Sequence, residues 1–385
     1  MKKSLLAVTL GAALAGLSVS AGAAEVQVYG LIDTSLSYVH SDADRPGIDS
    51  TDSLTMENAK EFGSRFGIKG SEDLGNGYKV GFVLESGFKS DDGNFDQKEK
   101  FFGRESHVDV HAPWGKLSFG LMPVFGSTLG ADGLFRAIDP LFANYTVAFG
   151  SGMVTASSWT RVDNAVSYVS PTFAGFTGYA MYSFKNSTTV GGTEGHGGES
   201  DRYAALGARY LNGPLELVLL GDTTMYGTYR NGKDSKVASQ DDGWTVTFGG
   251  NYTLENGVKF LAFTQFFGDM ELNTKIRGGV GADGIFDIAG EQGYGFVAGY
   301  GVSLGVNVPA GNGVLKAALA YRDMDNHENT DFTRWVASAG YDYPLSKRTA
   351  VYVMGGYSQE KVELQSGDSA KPSGYELTSG IVHRF

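Results

Sequence analysis

The sequence predicts an all-β fold: a 16-stranded antiparallel transmembrane β-barrel with the third long loop folded into the lumen. Three observations carry this expectation. Side-chain polarity alternates with period two from Val26 to Phe385, as in strands whose two faces meet different surroundings. Short tight turns alternate with long polar stretches, which places the long connections on one side of a membrane. Glycine makes up 56 of the 385 residues, with 20 Tyr and 24 Phe against only 9 Pro, a composition suited to many strands and turns.

The elements follow in chain order. Met1, Lys2 and Lys3 form a basic start, residues 5–17 an apolar stretch, and Ala21-Gly22-Ala23 the small residues of a cleavage site. Residues 1–23 are therefore expected to be a signal peptide, cut after Ala23 or Ala24, and residues 24–385 a single barrel domain. The first strand then places Val26, Val28, Ile32, Leu36 and Tyr38 on one parity, with Gln27, Asp33, Ser35 and Ser37 on the other. The same alternation recurs at Tyr78, Val80, Phe82 and Leu84. It recurs again at Leu315, Ala317, Leu319 and Tyr321 against Lys316 and Arg322, and at Trp335, Ala337, Ala339 and Tyr341 against Arg334 and Asp342.

Tight turns are expected at Gly75-Asn76-Gly77, Pro113-Trp114-Gly115, Asn212-Gly213-Pro214, Glu255-Asn256-Gly257 and Gly311-Asn312-Gly313. Long polar stretches cover residues 41–63, 90–100, 187–200, 229–242, 269–292, 323–331 and 360–373. Sixteen strands over the 362 residues left after cleavage allow about 23 residues for a strand and its connection, which fits membrane strands of about 9–11 residues. A soluble sandwich would hide its apolar faces. Here those faces carry Tyr, Phe and Trp near strand ends, as an aromatic girdle does, and hydrocarbon tolerates no open sheet edge.

Residues 122–160 differ from the other long connections. They hold Leu129, Leu134, Phe135, Ile138, Leu141, Phe142, Tyr145, Val147 and Phe149, too many apolar side chains for a solvated loop. Folded into the barrel, they would bury these groups against the wall and narrow the pore. The alternative is a loop packed over the rim or on a neighbouring subunit.

Composition excludes several functions. Mean hydropathy is −0.16 and no apolar run of about 18 residues follows residue 24, so helical membrane spans are excluded. The 31 basic and 43 acidic residues give a net charge of −12, or −14 without Lys2 and Lys3, which argues against nucleic-acid partners. The absence of cysteine excludes a disulfide scaffold, a thiolate site and a lipid-anchored cysteine. The six histidines form no HExxH motif. His107 and His111 share a strand face and are expected to be lumen or turn residues, not metal ligands. Asp323, Asp325, Asn326 and Glu328 miss the EF-hand spacing and read as a solvated acidic loop. No nucleophile elbow or phosphate loop occurs. No enzyme activity, metal or cofactor is expected.

Several stretches resemble the Gram-negative general porins of the neisserial and Comamonas/Burkholderia type. These are Val28-Tyr29-Gly30-Leu31-Ile32-Asp33, the run from Ser64-Arg65-Phe66-Gly67 to Asn76-Gly77, Leu84-Glu85-Ser86-Gly87-Phe88, Asp163-Asn164-Ala165-Val166-Ser167-Tyr168, and the closing Val382-His383-Arg384-Phe385. They run from the first strand to the last. The resemblance implies an outer-membrane homotrimer of 16-stranded barrels whose third long loop constricts each pore. Its partners would be outer-membrane lipids, lipopolysaccharide and the outer-membrane assembly machinery, which would read the terminal Phe385. One departure is Leu121, which stands where many relatives carry a pore-lining arginine.

If the chain is a pore, its functional residues are charges facing the lumen. With Phe66 and Ile68 outward, Arg65 and Lys69 point inward. The resemblance groups Arg65 with Arg104 and Arg161 as a basic wall at the constriction. Opposing acids could be Asp33 and Glu85 on strands or Asp132 and Asp139 in the third loop; each could equally be a loop-base charge or a salt-bridge partner. Opposed charges would set up a transverse field that penalises apolar solutes. The expected function is a water-filled channel for passive diffusion of small hydrophilic solutes and ions. A substrate-selective channel for anionic metabolites or sugars is the alternative.

Overall fold

A computed structural model describes residues 25–385 apart from 45, 48, 98–99, 142–152, 157–159, 189–190, 197, 231–234, 237–239 and 273–293. The expected signal peptide thus lies outside the described residues. Sixteen antiparallel strands close into a barrel. The first, β1 (Glu25–Asp42), pairs with the last, β16 (Ser373–Arg384), from Leu31 opposite Arg384 to Asp42 opposite Ser373. On its other side β1 pairs with β2, which comes in two pieces, Thr51–Asn58 and Arg65–Gly75.

Each later strand pairs with its sequence neighbour. They are β3 (Tyr78–Gly87), β4 (Glu105–Ala112), β5 (Gly115–Pro123), β6 (Arg161–Val169), β7 (Phe176–Ser183), β8 (Arg202–Asn212) and β9 (Leu215–Met225). The ring continues through β10 (Gly243–Thr253), β11 (Lys259–Leu272), β12 (Gly295–Ala310), β13 (Gly313–Asn326), β14 (Asp331–Pro344) and β15 (Thr349–Glu363). The wall is uneven: β3 to β7 run 8–10 residues and β11 to β15 run 14–16. Six residues of strand amount to about 20 Å.

The faces are the reverse of a soluble sandwich. Val28, Leu36, Leu206, Leu304, Leu319 and Leu377 are exposed on the outer face, while Asp33, Ser37, Thr245, Thr247, Gln265 and Thr378 are buried on the inner one. Outward apolar groups suit hydrocarbon, and closure leaves no unpaired edge. The first tight turn shows why the chain reverses where it does. Gly75, Asn76 and Gly77 all take positive φ, at 77°, 54° and 80°, which glycine and asparagine tolerate best.

Several of the expected polar stretches are partly strand: Asp323, Asp325 and Asn326, read as a solvated acidic loop, lie in β13 with Asn326 buried, and Glu360 lies buried in β15. Residues 41–63 were expected as a polar loop, yet Thr51–Asn58 is the upper half of β2, with Leu54 and Met56 turned outward. Only two of its eight residues are apolar, so the alternation is faint. Residues 59–64, between the two pieces, leave the sheet.

Candidate functional site

Period-two alternation turns Arg65, Lys69 and Glu85 to the inner face, and pairing sets Gly67 opposite Glu85 across β2 and β3. Glu85 is the hub of a cationic group. Its Oε1 accepts a hydrogen bond from Arg104 Nε at 2.6 Å, and its Oε2 accepts one from the Tyr29 hydroxyl at 2.8 Å. Arg65 Nε stands 3.8 Å from the same Oε2. Arg161 Nε donates to the Arg104 carbonyl at 2.9 Å. Two guanidinium groups therefore share the Glu85 carboxylate, and the third, Arg161, is tied to the backbone of one of them, with the Glu105 carboxylate also close enough to act on the group. Burial of Arg104 and Glu85 leaves their pairing little screened by water. Lys69 adds a fourth cation, its Nζ 5.1 Å from the centre of the Tyr29 ring.

Of the candidate acids, Glu85 joins the arginines and the other three fall elsewhere. Glu85 stands among the arginines, not across from them. Asp33 has both oxygens engaged: Oδ1 accepts from the Tyr352 hydroxyl at 2.8 Å, and Oδ2 from the backbone N–H groups of Glu61 and Phe62 at 2.9 and 2.7 Å. Asp132 pairs with Lys116 Nζ at 2.5 Å. Asp139 is buried and accepts from the Leu141 N–H at 3.0 Å. Among the described residues no group of three or more His, Asp or Glu could hold a metal ion. His107 is flanked by Glu105 and Asp109, at 3.1 and 3.0 Å.

The segment between β5 and β6 meets side chains of the inner face. Leu134 to Ala137 form one 3-10 turn, and Leu134, Phe135, Ile138, Leu141, Met153 and Val154 are buried. Phe135 stacks on Phe263 of β11 with ring centres 5.9 Å apart, and Phe125 meets Tyr179 of β7 edge-on at 5.3 Å. Ile138 lies over Gly249 of β10, where an added Cβ would come within 3.1 Å of its methyl group. Polar contacts finish the attachment: Asn251 Nδ2 donates to the Ala137 carbonyl at 2.7 Å, and the Ala156 N–H donates to Gln265 Oε1 at 2.8 Å. Six buried apolar side chains at about 1.5–3 kcal/mol each are worth on the order of 10 kcal/mol. Phe142, Tyr145, Val147 and Phe149 lie outside the described residues.

Two groups escaped the sequence reading. Residues 59–64 carry buried Lys60, Glu61 and Ser64. Arg322 and Arg334 share Glu360, at 2.5 and 2.9 Å, with the Tyr294 hydroxyl bonded to all three. The second group was within reach, because Arg322 and Arg334 sit on the inward parity of β13 and β14. Phe385 closes the β1–β16 seam, exchanging two backbone hydrogen bonds with Gly30.

Comparison with known proteins bears on this geometry. The family model described as Gram-negative porin matches residues 7–362. An outer membrane porin protein of Bordetella pertussis is 31% identical over 413 aligned positions covering 100% of both chains. Outer membrane porin protein 32 of Delftia acidovorans is 30% identical, over 91% of this chain and 88% of its own. Among solved structures, an anion-selective porin from Comamonas acidovorans matches with a TM-score of 0.62 and 26% identity, over 94% of this chain and all of that one.

Proposed function

This chain belongs to the Gram-negative porin family, and from that premise we propose that it conducts anions in preference to cations through a constriction lined by Arg65, Arg104 and Arg161. As a porin it is an outer-membrane channel for small hydrophilic solutes and ions. The observation that carries the selectivity reading is the gathering of Arg65, Arg104 and Arg161 on the inner face, two of them on the Glu85 carboxylate and the third on the Arg104 carbonyl, which outnumber the neighbouring acids Glu85 and Glu105. The likeness to a porin described as anion-selective supports it. The net charge of −12 does not oppose it. Charges on loops in bulk water are screened within about 8 Å, whereas an ion in a narrow channel passes a few ångströms from its wall.

The segment between β5 and β6 narrows the lumen in this reading, since its buried groups rest on inward side chains of β7, β10 and β11. The low wall of β3 to β7, whose strands are about as long as a membrane crossing needs and no longer, is the side that neighbouring subunits of a homotrimer would cover. Residues 1–23 serve as the export signal. Phe385 serves as the feature that the outer-membrane assembly machinery reads, and lipid and lipopolysaccharide surround the tall wall.

A single-channel recording across a tenfold salt gradient tests the selectivity. The reversal potential should have the anion sign, and Arg65→Ala, Arg104→Ala and Arg161→Ala together should move it toward cations while conductance rises slightly. An unmoved potential would refute the assignment of these arginines to the narrowest zone. Conductance linear in solute concentration keeps the general-diffusion reading; saturation would favour a channel selective for anionic metabolites or sugars.

A further inference from the structure

We propose that the turn of residues 59–64 is a second, fixed constriction of this channel, so that permeating solutes pass between it and the segment joining β5 to β6. The proposal rests on the porin reading and adds a determinant of solute size to it.

Register shows that the turn must leave the wall. β1 is unbroken, with Leu31 opposite Arg65 and Thr34 opposite Asn58. Six residues of β2 thus stand opposite two of β1, and the four in excess have no place in the sheet. The departure begins at Ala59, whose φ is 61°.

Its contacts show the direction. Lys60 Nζ lies 3.1 Å from Glu376 Oε1 of β16, and Lys316 Nζ donates to Glu61 Oε1 at 3.4 Å. Glu376 and Lys316 both face inward. Lys316 sits on β13, four strands round from β1, which is about 19 Å along the wall at a spacing of ~4.8 Å. Glu61 can meet it only if the turn stands off β1 and spans a chord of the lumen.

The turn is braced, not loose. Asp33 receives two of its N–H groups, as described above. Ser64 Oγ accepts from the Asp33 N–H at 3.0 Å and donates to the Asp33 carbonyl at 3.1 Å. Lys316 also pairs with Asp342. The two inward elements occupy different parts of the wall. The β5–β6 segment rests on β7 and β10 to β12, and the turn reaches β13 and β16. The arginine group lines the remaining arc.

The chain has no cysteine, so a single introduced one can be addressed cleanly. Phe62→Cys in the full-length channel should react with a small neutral methanethiosulfonate reagent, confirmed by mass, and in a separate, unlabelled sample a bulky one should lower single-channel conductance by about a quarter or more. A second variant, in which residues 59–64 are replaced by Ser-Ser to make β2 continuous, should raise conductance about 1.5-fold and admit larger neutral polyethylene glycols. Parent channels that conduct while labelled Phe62→Cys conducts unchanged would overturn the second constriction and leave the porin reading intact. Failure of Phe62→Cys to label would overturn it as well. Absence of any conductance in the parent protein would instead strike the porin reading. If the Ser-Ser variant does not fold, the cysteine result decides alone.

Discussion

Two segments of this chain meet inward-facing side chains of the wall, and they are held by different balances of apolar and polar contact. The β5–β6 segment is attached mainly by apolar burial, with Phe135 on Phe263 and Ile138 over Gly249, and is finished by two hydrogen bonds. The turn of residues 59–64 is attached by charges and hydrogen bonds to Asp33, Glu376 and Lys316. Apolar attachment is non-directional and tolerates small shifts. Polar attachment fixes orientation and is costly to leave half-made. The two should therefore fail differently.

The largest effect is expected at the apolar attachment. Ile138→Asp would place a carboxylate against Gly249 with no partner, at a cost of several kcal/mol that detaching the segment relieves. The barrel should remain, since its strands do not depend on this contact, and mean conductance should rise about twofold with noisier open states. Planar-bilayer recordings beside an unchanged far-ultraviolet circular dichroism spectrum check this. A quiet channel of parental conductance would show that burial of Ile138 does not hold the segment in the path.

The polar attachment should break less openly. Asp33→Ala removes the acceptor of three donors, the Tyr352 hydroxyl and the N–H groups of Glu61 and Phe62. Each orphaned buried donor costs about 1–3 kcal/mol, less where water enters the lumen to replace the acceptor. The folded barrel should unfold at lower temperature in a gel-shift assay, with conductance changed by less than in Ile138→Asp. Asp33→Asn keeps an acceptor oxygen and should recover part of the loss. Equal melting of Asp33→Ala and the parent would mean that the turn is held without the Asp33 carboxylate, by its ion pairs and by the Ser64 bonds to the backbone of residue 33.

The same contrast explains what was legible in the sequence. Period-two alternation revealed the strands because membrane and lumen impose opposite demands on neighbouring residues. The β5–β6 segment announced itself through apolar side chains that water would not tolerate. The turn could not, because in an aqueous lumen polarity is what an inward segment shows, and Lys60, Glu61 and Ser64 resemble any surface loop. Thr51–Asn58 was hidden for the same reason. The arginines could be grouped through a family pattern. Spacing, by contrast, carries no sign that the oxygens of Asp33 are taken by a tyrosine 319 residues away and by two backbone amides, or that Glu85 binds an arginine from beyond the next loop.

The smallest predicted effect tests whether the polar turn and the arginine group form one mechanical unit. Gly63 lies at the inner end of the turn, and a Cβ there would come 2.5 Å from Arg104 Nη1. That contact is with the tip of a flexible side chain, so Gly63→Ala should be accommodated by a shift of the guanidinium and not by loss of the fold. Arg104 is tied to Glu85 through Nε, and its carbonyl receives Arg161, so the displacement would be passed on to the group that sets the local charge. The reversal potential in a tenfold salt gradient should move a few millivolts toward cations while conductance stays near the parental value, because the positive charge is retained and only its position changes. Gly249→Ala, the matching change beneath Ile138, presses on Phe263 Cβ and the Ala262 carbonyl of the neighbouring strand at 2.7 and 2.8 Å as well as on Ile138, away from the arginines, and should leave the potential alone. Equal potentials in the two variants would dissolve the distinction drawn here, for the turn would then narrow the channel without positioning the charges that select the ion.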